Sequence, residues 1–276
     1  ASIAIVGDFN SSKVKSLLEK WFGDIPTGPP VDRKYPEPKP IAGEKRITIS
    51  DNVQLPLVMM AWQSPKLYAD GDAALDVLSS VLDSGKSARL VKRLVMDEQI
   101  AQSVGAGQQS ESLASMFSIS FTPKPGQSLE RIEKAIDEEL ARIASEPPTA
   151  EAVDRAKNKI EAGMIFGLEL VNGRAAMLNS YYMHTRDPGY FEKDLARYRA
   201  VTPADVQAAA ARWLKKDARV VLTVMPRAAP VAPAAAAPAP AAPVEAAKPS
   251  VKPTKPVSKP PKPSKPAKPA KKGGKR

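Results

Sequence analysis

Residues 102–145, QSVGAGQQSESLASMFSISFTPKPGQSLERIEKAIDEELARIAS, decide the fold. Gln102 to Gln109 and Met116 to Phe121 alternate between apolar and small or polar residues with a period of two, the pattern of half-buried strands. The polar stretch Ser110 to Ser115 joins them as a hairpin. The period then changes: Leu129 to Ser145 carries its apolar residues on one helical stripe, so a strongly amphipathic helix comes directly after the hairpin.

Upstream of the hairpin, Arg46 to Ser50 and Leu57 to Gln63 read as strands. Asp72 to Leu82 reads as a helix, with Ala74, Leu75, Leu78, Val81 and Leu82 on its stripe, and Ser87 to Met96 as a second short helix after the break at Gly85. Downstream, Thr149 caps a helix that starts at Ala150 and extends past Met164. A further helix covers Leu168 to Met183 before Asp187-Pro188-Gly189 interrupts the chain. Thr202-Pro203 opens a helix to about Leu214, with Pro in its first turn. Arg219 to Met225 closes the unit as a strand. Strands, helix, hairpin, long helices, strand: this order describes an α+β two-layer sandwich rather than a repeated βαβ array.

The expected organisation has four parts. Residues 46–227 are long enough for one complete domain. Before them, Ser2-Ile3-Ala4-Ile5-Val6 reads as a buried strand, Gly7 to Asn10 as a turn, and Ser11 or Ser12 as the start of a helix to about Phe22. One strand and one helix cannot make a domain, so residues 1–25 are expected to belong to a module with an earlier part, or to pack as an extension on residues 46–227. Residues 26–45, rich in Pro, form a stiff linker. Residues 228–276 consist mainly of Ala, Pro, Lys, Val and Ser without an aromatic, Leu or Ile, and are expected to be disordered.

Charge is divided in the same way. The tail holds ten Lys, one Arg and one Glu, hence +10 of the net +11, and the rest of the chain is nearly neutral. The basicity lies in a Pro-spaced Lys run, Lys248 to Arg276, with no aromatic side chains to stack on bases. Two readings of it stand: a solvated tether, or weak adhesion to a polyanion that is lost at raised salt. No apolar stretch is long enough for a signal peptide or a membrane span.

The chain has one histidine, His184, and no cysteine. Imidazole and thiolate are the usual zinc ligands and the usual partners of an activated nucleophile, so no His-rich or Cys-rich metal site can be built from this chain alone. Asp72 and Asp76, at i and i+4, offer a carboxylate pair on one helical face. Two Asp alone make a poor zinc site, and an exposed, solvated face is the commoner explanation of such a pair.

A resemblance becomes specific in Ile5-Val6-Gly7-Asp8-Phe9, in Trp21-Phe22-Gly23-Asp24-Ile25-Pro26 with the Pro-rich linker after it, and in Leu75-x-Val77-Leu78-x-x-Val81-Leu82-x-x-Gly85-x-Ser87-x-Arg89-Leu90. Ile100 to Val104, Pro147-Pro148-Thr149-x-x-x-Val153-x-x-Ala156-Lys157 and Val201-Thr202-x-x-Asp205-Val206 extend it. Over residues 1–227 the chain resembles the pitrilysin or insulinase type of zinc peptidase and its mitochondrial processing peptidase relatives. The resemblance implies a mixed, mostly antiparallel sheet with helices on one face. It also implies that residues 1–25 are the closing strand and helix of a first module and that residues 46–227 are the complete second module. The zinc motif of that family, His-x-x-Glu-His, stands on the first long helix of the first module. The equivalent helix here is Asp72 to Leu82, which has no His.

On that resemblance zinc is expected on a partner subunit or on a module preceding residue 1, and no cofactor is expected in this chain. Arg174 and Tyr181, seven residues apart in one helix, are separated by about 700° of rotation and roughly 10 Å of rise, so both project from one face. They resemble the Arg and Tyr that the second half of these peptidases presents to the zinc site of the first. The implied roles are a guanidinium bond to a substrate carbonyl and a phenol bond to the oxyanion. Tyr182 lies about 100° round the helix from Tyr181 and faces elsewhere. Two function classes therefore stand: the Arg/Tyr-bearing half of a two-part zinc endopeptidase acting on unfolded peptides, or a non-catalytic scaffold of the same fold. Bacterial members of the family are often periplasmic, and that location is expected here.

Overall fold

The computed structural model describes residues 1–227 apart from 33 and 37; the expectations for the tail lie outside the described residues. The elements in order are α1 (Ser11–Phe22), β1 (Lys45–Asp51), β2 (Leu57–Ser64), α2 (Asp72–Asp83), β3 (Ala101–Gln109), β4 (Ser115–Pro123), α3 (Leu129–Ser145), α4 (Ala150–Gly167), α5 (Val171–Thr185), α6 (Phe191–Ala200), α7 (Pro203–Trp213) and β5 (Arg219–Pro226). The five strands form one sheet in the order β1-β5-β2-β4-β3. β1 runs parallel to β5, and the other neighbours are antiparallel. The α+β sandwich and its mostly antiparallel sheet are thus as expected.

The alternation of β2 and β4 sends one set of side chains into the helical layer: Val58, Met60 and Trp62 from β2, and Phe117, Ile119 and Phe121 from β4, are all buried. They meet Leu75, Leu78 and Leu82 of α2 and Ile132, Ile136 and Leu140 of α3 in one contiguous core. Each such side chain contributes about 2 kcal/mol relative to exposure. α2 lies between α4 and α7, and is buried on most of its circumference. The opposite face of the sheet carries Ile47 and Ile49, both about half exposed.

Local chemistry sets the helix starts. Ser128 and Thr149 accept from Arg131 N and Ala152 N and begin α3 and α4. α7 starts with a capping box, in which Thr202 Oγ1 accepts from Asp205 N and Asp205 accepts from Thr202 N, ahead of Pro203. Among the buried charged side chains is Arg219, 1% exposed, which is paired with Asp137 and Glu44 and fixes the end of the linker to β5 and α3.

Four readings of the sequence need correction. Ser2 to Val6 pairs with no strand among the described residues; Ile3 and Ile5 are exposed, and α1 buries no residue. The helix after Gly85 is π-helical over Val91–Asp97, with Glu98 N bonded to Arg93 O. α6 is a helix where the sequence suggested only an interruption. Asp72, expected on a solvated face, is fully buried, because its carboxylate has partners on other elements.

Candidate functional site

α5 carries both predicted residues, over a narrower span than Leu168 to Met183 because the chain turns at Leu168 and restarts after Leu170. Their surroundings differ. Arg174 is exposed, and its Nε–H folds back onto the carbonyl of Leu168 in that turn. Tyr181 is the one residue of α5 that is buried, at 5% exposure, and its hydroxyl donates to Asp194 Oδ2 at 2.9 Å. Helical phase places the two on one side of α5; it does not place them in one environment.

Asp194 belongs to α6 and opens a buried polar network. It accepts from Arg197 Nη2 at 2.7 Å and from Nε at 3.1 Å. Arg197 reaches on to Asp72 Oδ2 at 3.3 Å. Asp72, at the first turn of α2, also accepts from Ser110 Oγ at 2.6 Å, Tyr68 N at 3.0 Å and Gln108 Nε2 at 3.3 Å. One turn along, Asp76 accepts from Tyr198 O–H at 2.8 Å. The carboxylates at i and i+4 on α2 are thus paired inward, to α6, rather than presented to a ligand.

The electrostatics result from burial and partners. Burial pushes the Asp76 carboxyl up to about 7, against the hydrogen bond from Tyr198, which lowers it. Burial first, then the bond to Asp194, raises the Tyr181 phenol well above its ordinary range, so it stays a donor. Tyr68 is pushed up to about 12 by burial and then by the Asp194 charge. Tyr68 also holds φ at +64°, a left-handed backbone that costs a bulky residue on the order of 1 kcal/mol. Its N–H bond to Asp72 and the ring contacts Tyr68–Tyr190 at 5.2 Å and Tyr190–Tyr181 at 5.7 Å hold it there.

These residues do not fit a zinc ion. Among the described residues no group of three or more His, Cys, Asp or Glu could hold a metal. Asp72 is already paired with Arg197 and Asp76 with Tyr198, and His184 Nδ1 lies 3.2 Å from Ser112 Oγ with no second imidazole in the chain.

What α5 does present is surface. Val171, Leu178, Tyr182 and Met183 are exposed on it, continuous in sequence with exposed Ile165, Phe166 and Leu170 at the end of α4. These seven apolar residues fall within one stretch of chain, the turn from α4 into α5 and α5 itself. Tyr182, set aside because it faces away from Tyr181, is the phenol that is open to solvent. Sequence reasoning missed Asp194 and Arg197 with the whole of α6. The available signal was Glu192 and Asp194 in the first turn with Arg197 and Arg199 in the last, which complements a helix dipole.

Comparison with known proteins bears on the family and the fold. The family described as the peptidase M16 inactive domain matches residues 1–160. A zinc protease of Helicobacter pylori, PqqE, is 27% identical over 187 residues, which covers 66% of this chain and 41% of that protein. The crystal structure of a protease from Helicobacter pylori superposes with a TM-score of 0.72 at 23% identity, over 80% of this chain and 54% of that one. A peptidase M16 inactive domain from Pseudomonas fluorescens gives 0.68 at 19% identity, over 81% and 53%. The chain thus spans about half the length of these relatives.

Proposed function

Since the chain belongs to the peptidase M16 family through its inactive domain, we propose that it is the zinc-free half of a two-part zinc endopeptidase. The zinc, with the His-x-x-Glu-His motif, stands on a preceding module or a partner subunit. This half contributes Arg174 and Tyr181 to the substrate in trans, and the substrate is an unfolded peptide. The observation that carries this reading is the α4–α5 elbow, where exposed Arg174 stands on the same helix as exposed Val171, Leu178, Tyr182 and Met183. Residues 1–25, with exposed Ile3, Ile5, Leu17, Trp21 and Phe22, belong in the same proposal to the closing strand and helix of the zinc-bearing module.

The chemistry asked of this chain is modest. Arg174 Nη groups donate to a substrate carbonyl and fix its register. The Tyr181 hydroxyl, kept protonated by its surroundings, donates to the oxyanion. A phenol has one proton, so Tyr181 must turn it from Asp194 to the substrate; Asp194 then keeps its two bonds from Arg197. Activation of water belongs to the metal and its glutamate base, outside this chain.

One observation favours a second reading. The Tyr181 hydroxyl is buried and already bonded, as a purely structural tyrosine would be, which suits a non-catalytic scaffold of the same fold. Tyr181→Phe in the complete protein separates the two. Catalysis in trans predicts a loss of turnover on the order of 100-fold, whereas a scaffold loses stability and leaves turnover unchanged. The Lys run of residues 248–276 adds, on either reading, weak contact with a polyanion, and an exported location completes the proposal.

A further inference from the structure

Arg89 stands apart from the other cations that the fold takes partly or wholly out of water. Arg93, Lys124, Lys157, Arg197 and Arg219 each donate to an acceptor, whereas half-buried Arg89 makes no hydrogen bond and no ion pair among the described residues. A guanidinium withdrawn from water without an acceptor is unfavourable until an anion completes it. Arg89 lines a small cavity of about 120 Å³ between the turn that follows α2, residues 84–89, and the first half of α4. The rest of its polar lining is Arg155 and Lys159 of α4 and the hydroxyls of Ser80, Ser84 and Ser87, with no carboxylate among the lining residues.

The nearby acids leave this charge largely uncompensated. Lys159 Nζ donates to the neutral Ser84 hydroxyl, and Asp83 beside the turn is bonded to Ala106 N of β3. Arg155 alone has an ion pair, with Glu151 at 2.8 Å on the exposed face of α4. The adjoining cavity shares Ser87 and Arg89, but there Lys92, Arg93 and Arg142 are matched by Asp97 and Glu139. A carboxylate is planar and is satisfied by one guanidinium fork. Here cations and hydroxyl donors come from α2, the turn and α4, an arrangement that suits the several oxygens of a tetrahedral anion. The volume, about four waters' worth, suits a group of that size and lies well below the roughly 300 Å³ at which sites for larger ligands begin. We propose that the cleft between the turn after α2 and α4 binds a phosphate-class oxyanion, either free phosphate or a phosphomonoester, through Arg89 and Lys159. The site is separate from the proposed role in peptide cleavage, since neither Arg174 nor Tyr181 lines it.

The test is isothermal titration calorimetry of the full 276-residue chain with inorganic phosphate, glycerol phosphate and acetate at constant ionic strength. Phosphate is expected to fill one saturable site, and acetate to bind at least about tenfold more weakly. Arg89→Gln and Lys159→Gln are each expected to weaken phosphate about tenfold, the loss of one charge-assisted bond. Lys159 is exposed, so its replacement leaves the fold intact, as an unchanged far-ultraviolet circular dichroism spectrum would show. Glycerol phosphate bound as tightly as phosphate assigns the site to a monoester, and its refusal assigns the site to the free anion. Absence of a saturable phosphate site, or acetate bound as tightly as phosphate, overturns the proposal. So does a site that either folded variant leaves unchanged, as binding by the Lys run of residues 248–276 would be.

Discussion

Asp76→Asn removes a carboxyl that burial carries into the neutral range. The group is surrounded by Tyr198, which donates to it, by the Asp72 and Asp194 charges, which raise it, and by Arg197, which lowers it. Its folded value of about 7 lies above its ordinary 3.8, so the folded state binds more protons than the unfolded state between those limits. Stability from this group is therefore fully present below about pH 4 and is lost as pH rises through 7. A gap of about three units corresponds to about 4 kcal/mol as a ceiling, at 1.36 kcal/mol per unit. Asp76 keeps some solvent contact, and about 2 kcal/mol is the working figure. Asn retains the acceptor for Tyr198 and cannot ionise. Urea titrations of wild type and Asp76→Asn at pH 4, 5, 6, 7 and 8 should show the variant gaining on wild type from near equality at pH 4, through a gain already under way at pH 5, to about 2 kcal/mol at pH 8. A difference that stays flat across that range would refute the placement of Asp76 in a buried, proton-binding network.

Three further outcomes are expected. Tyr181→Phe loses a hydrogen bond to a carboxylate that still has Arg197, and should cost about 1.5 kcal/mol in urea; a double-mutant cycle with Asp194→Asn should show coupling between the two, and additivity would mean that the bond contributes nothing. Arg219→Ala leaves Asp137 and Glu44 without their buried partner and should destabilise by about 3 kcal/mol, measured as a drop in thermal midpoint of several degrees. Removal of residues 228–276 takes away +10 of charge, so the truncated chain should lose binding to a single-stranded oligonucleotide that the full chain shows at low salt and releases near roughly 0.2 M; equal binding by both would assign the polyanion contact to the folded body.

Much of the fold was legible because its signals are local. The alternation in 116–121 and the stripe of 129–145 each report one face of one element, and the strands and α3 stand where the periods put them. α6 was not legible in that way. Its ten residues bury only Asp194 and Leu195, so it has no apolar stripe, and tertiary pairing holds it instead. The burial of Asp72 was invisible for the same reason: a carboxylate reads as exposed until its partner is known, and Arg197 lies 125 residues away. Ser2 to Val6 carries the pattern of a strand, but a strand needs a neighbour, and none of the described residues supplies one. The Arg174 and Tyr181 spacing was legible as geometry. What distinguishes the two residues, solvent on one and Asp194 on the other, depends on packing that no helical wheel contains.

A zinc-free half that takes part in peptide cleavage must affect turnover through its own side chains. The deciding measurement is steady-state hydrolysis of an unfolded peptide by the complex of this chain with its zinc-bearing module, in wild type, Arg174→Ala and Tyr181→Phe. Turnover is expected to fall by about 100-fold for Tyr181→Phe, with a comparable loss of kcat/KM for Arg174→Ala and the complex still assembled. Turnover equal to wild type in both variants would contradict a part in catalysis and leave the chain a scaffold.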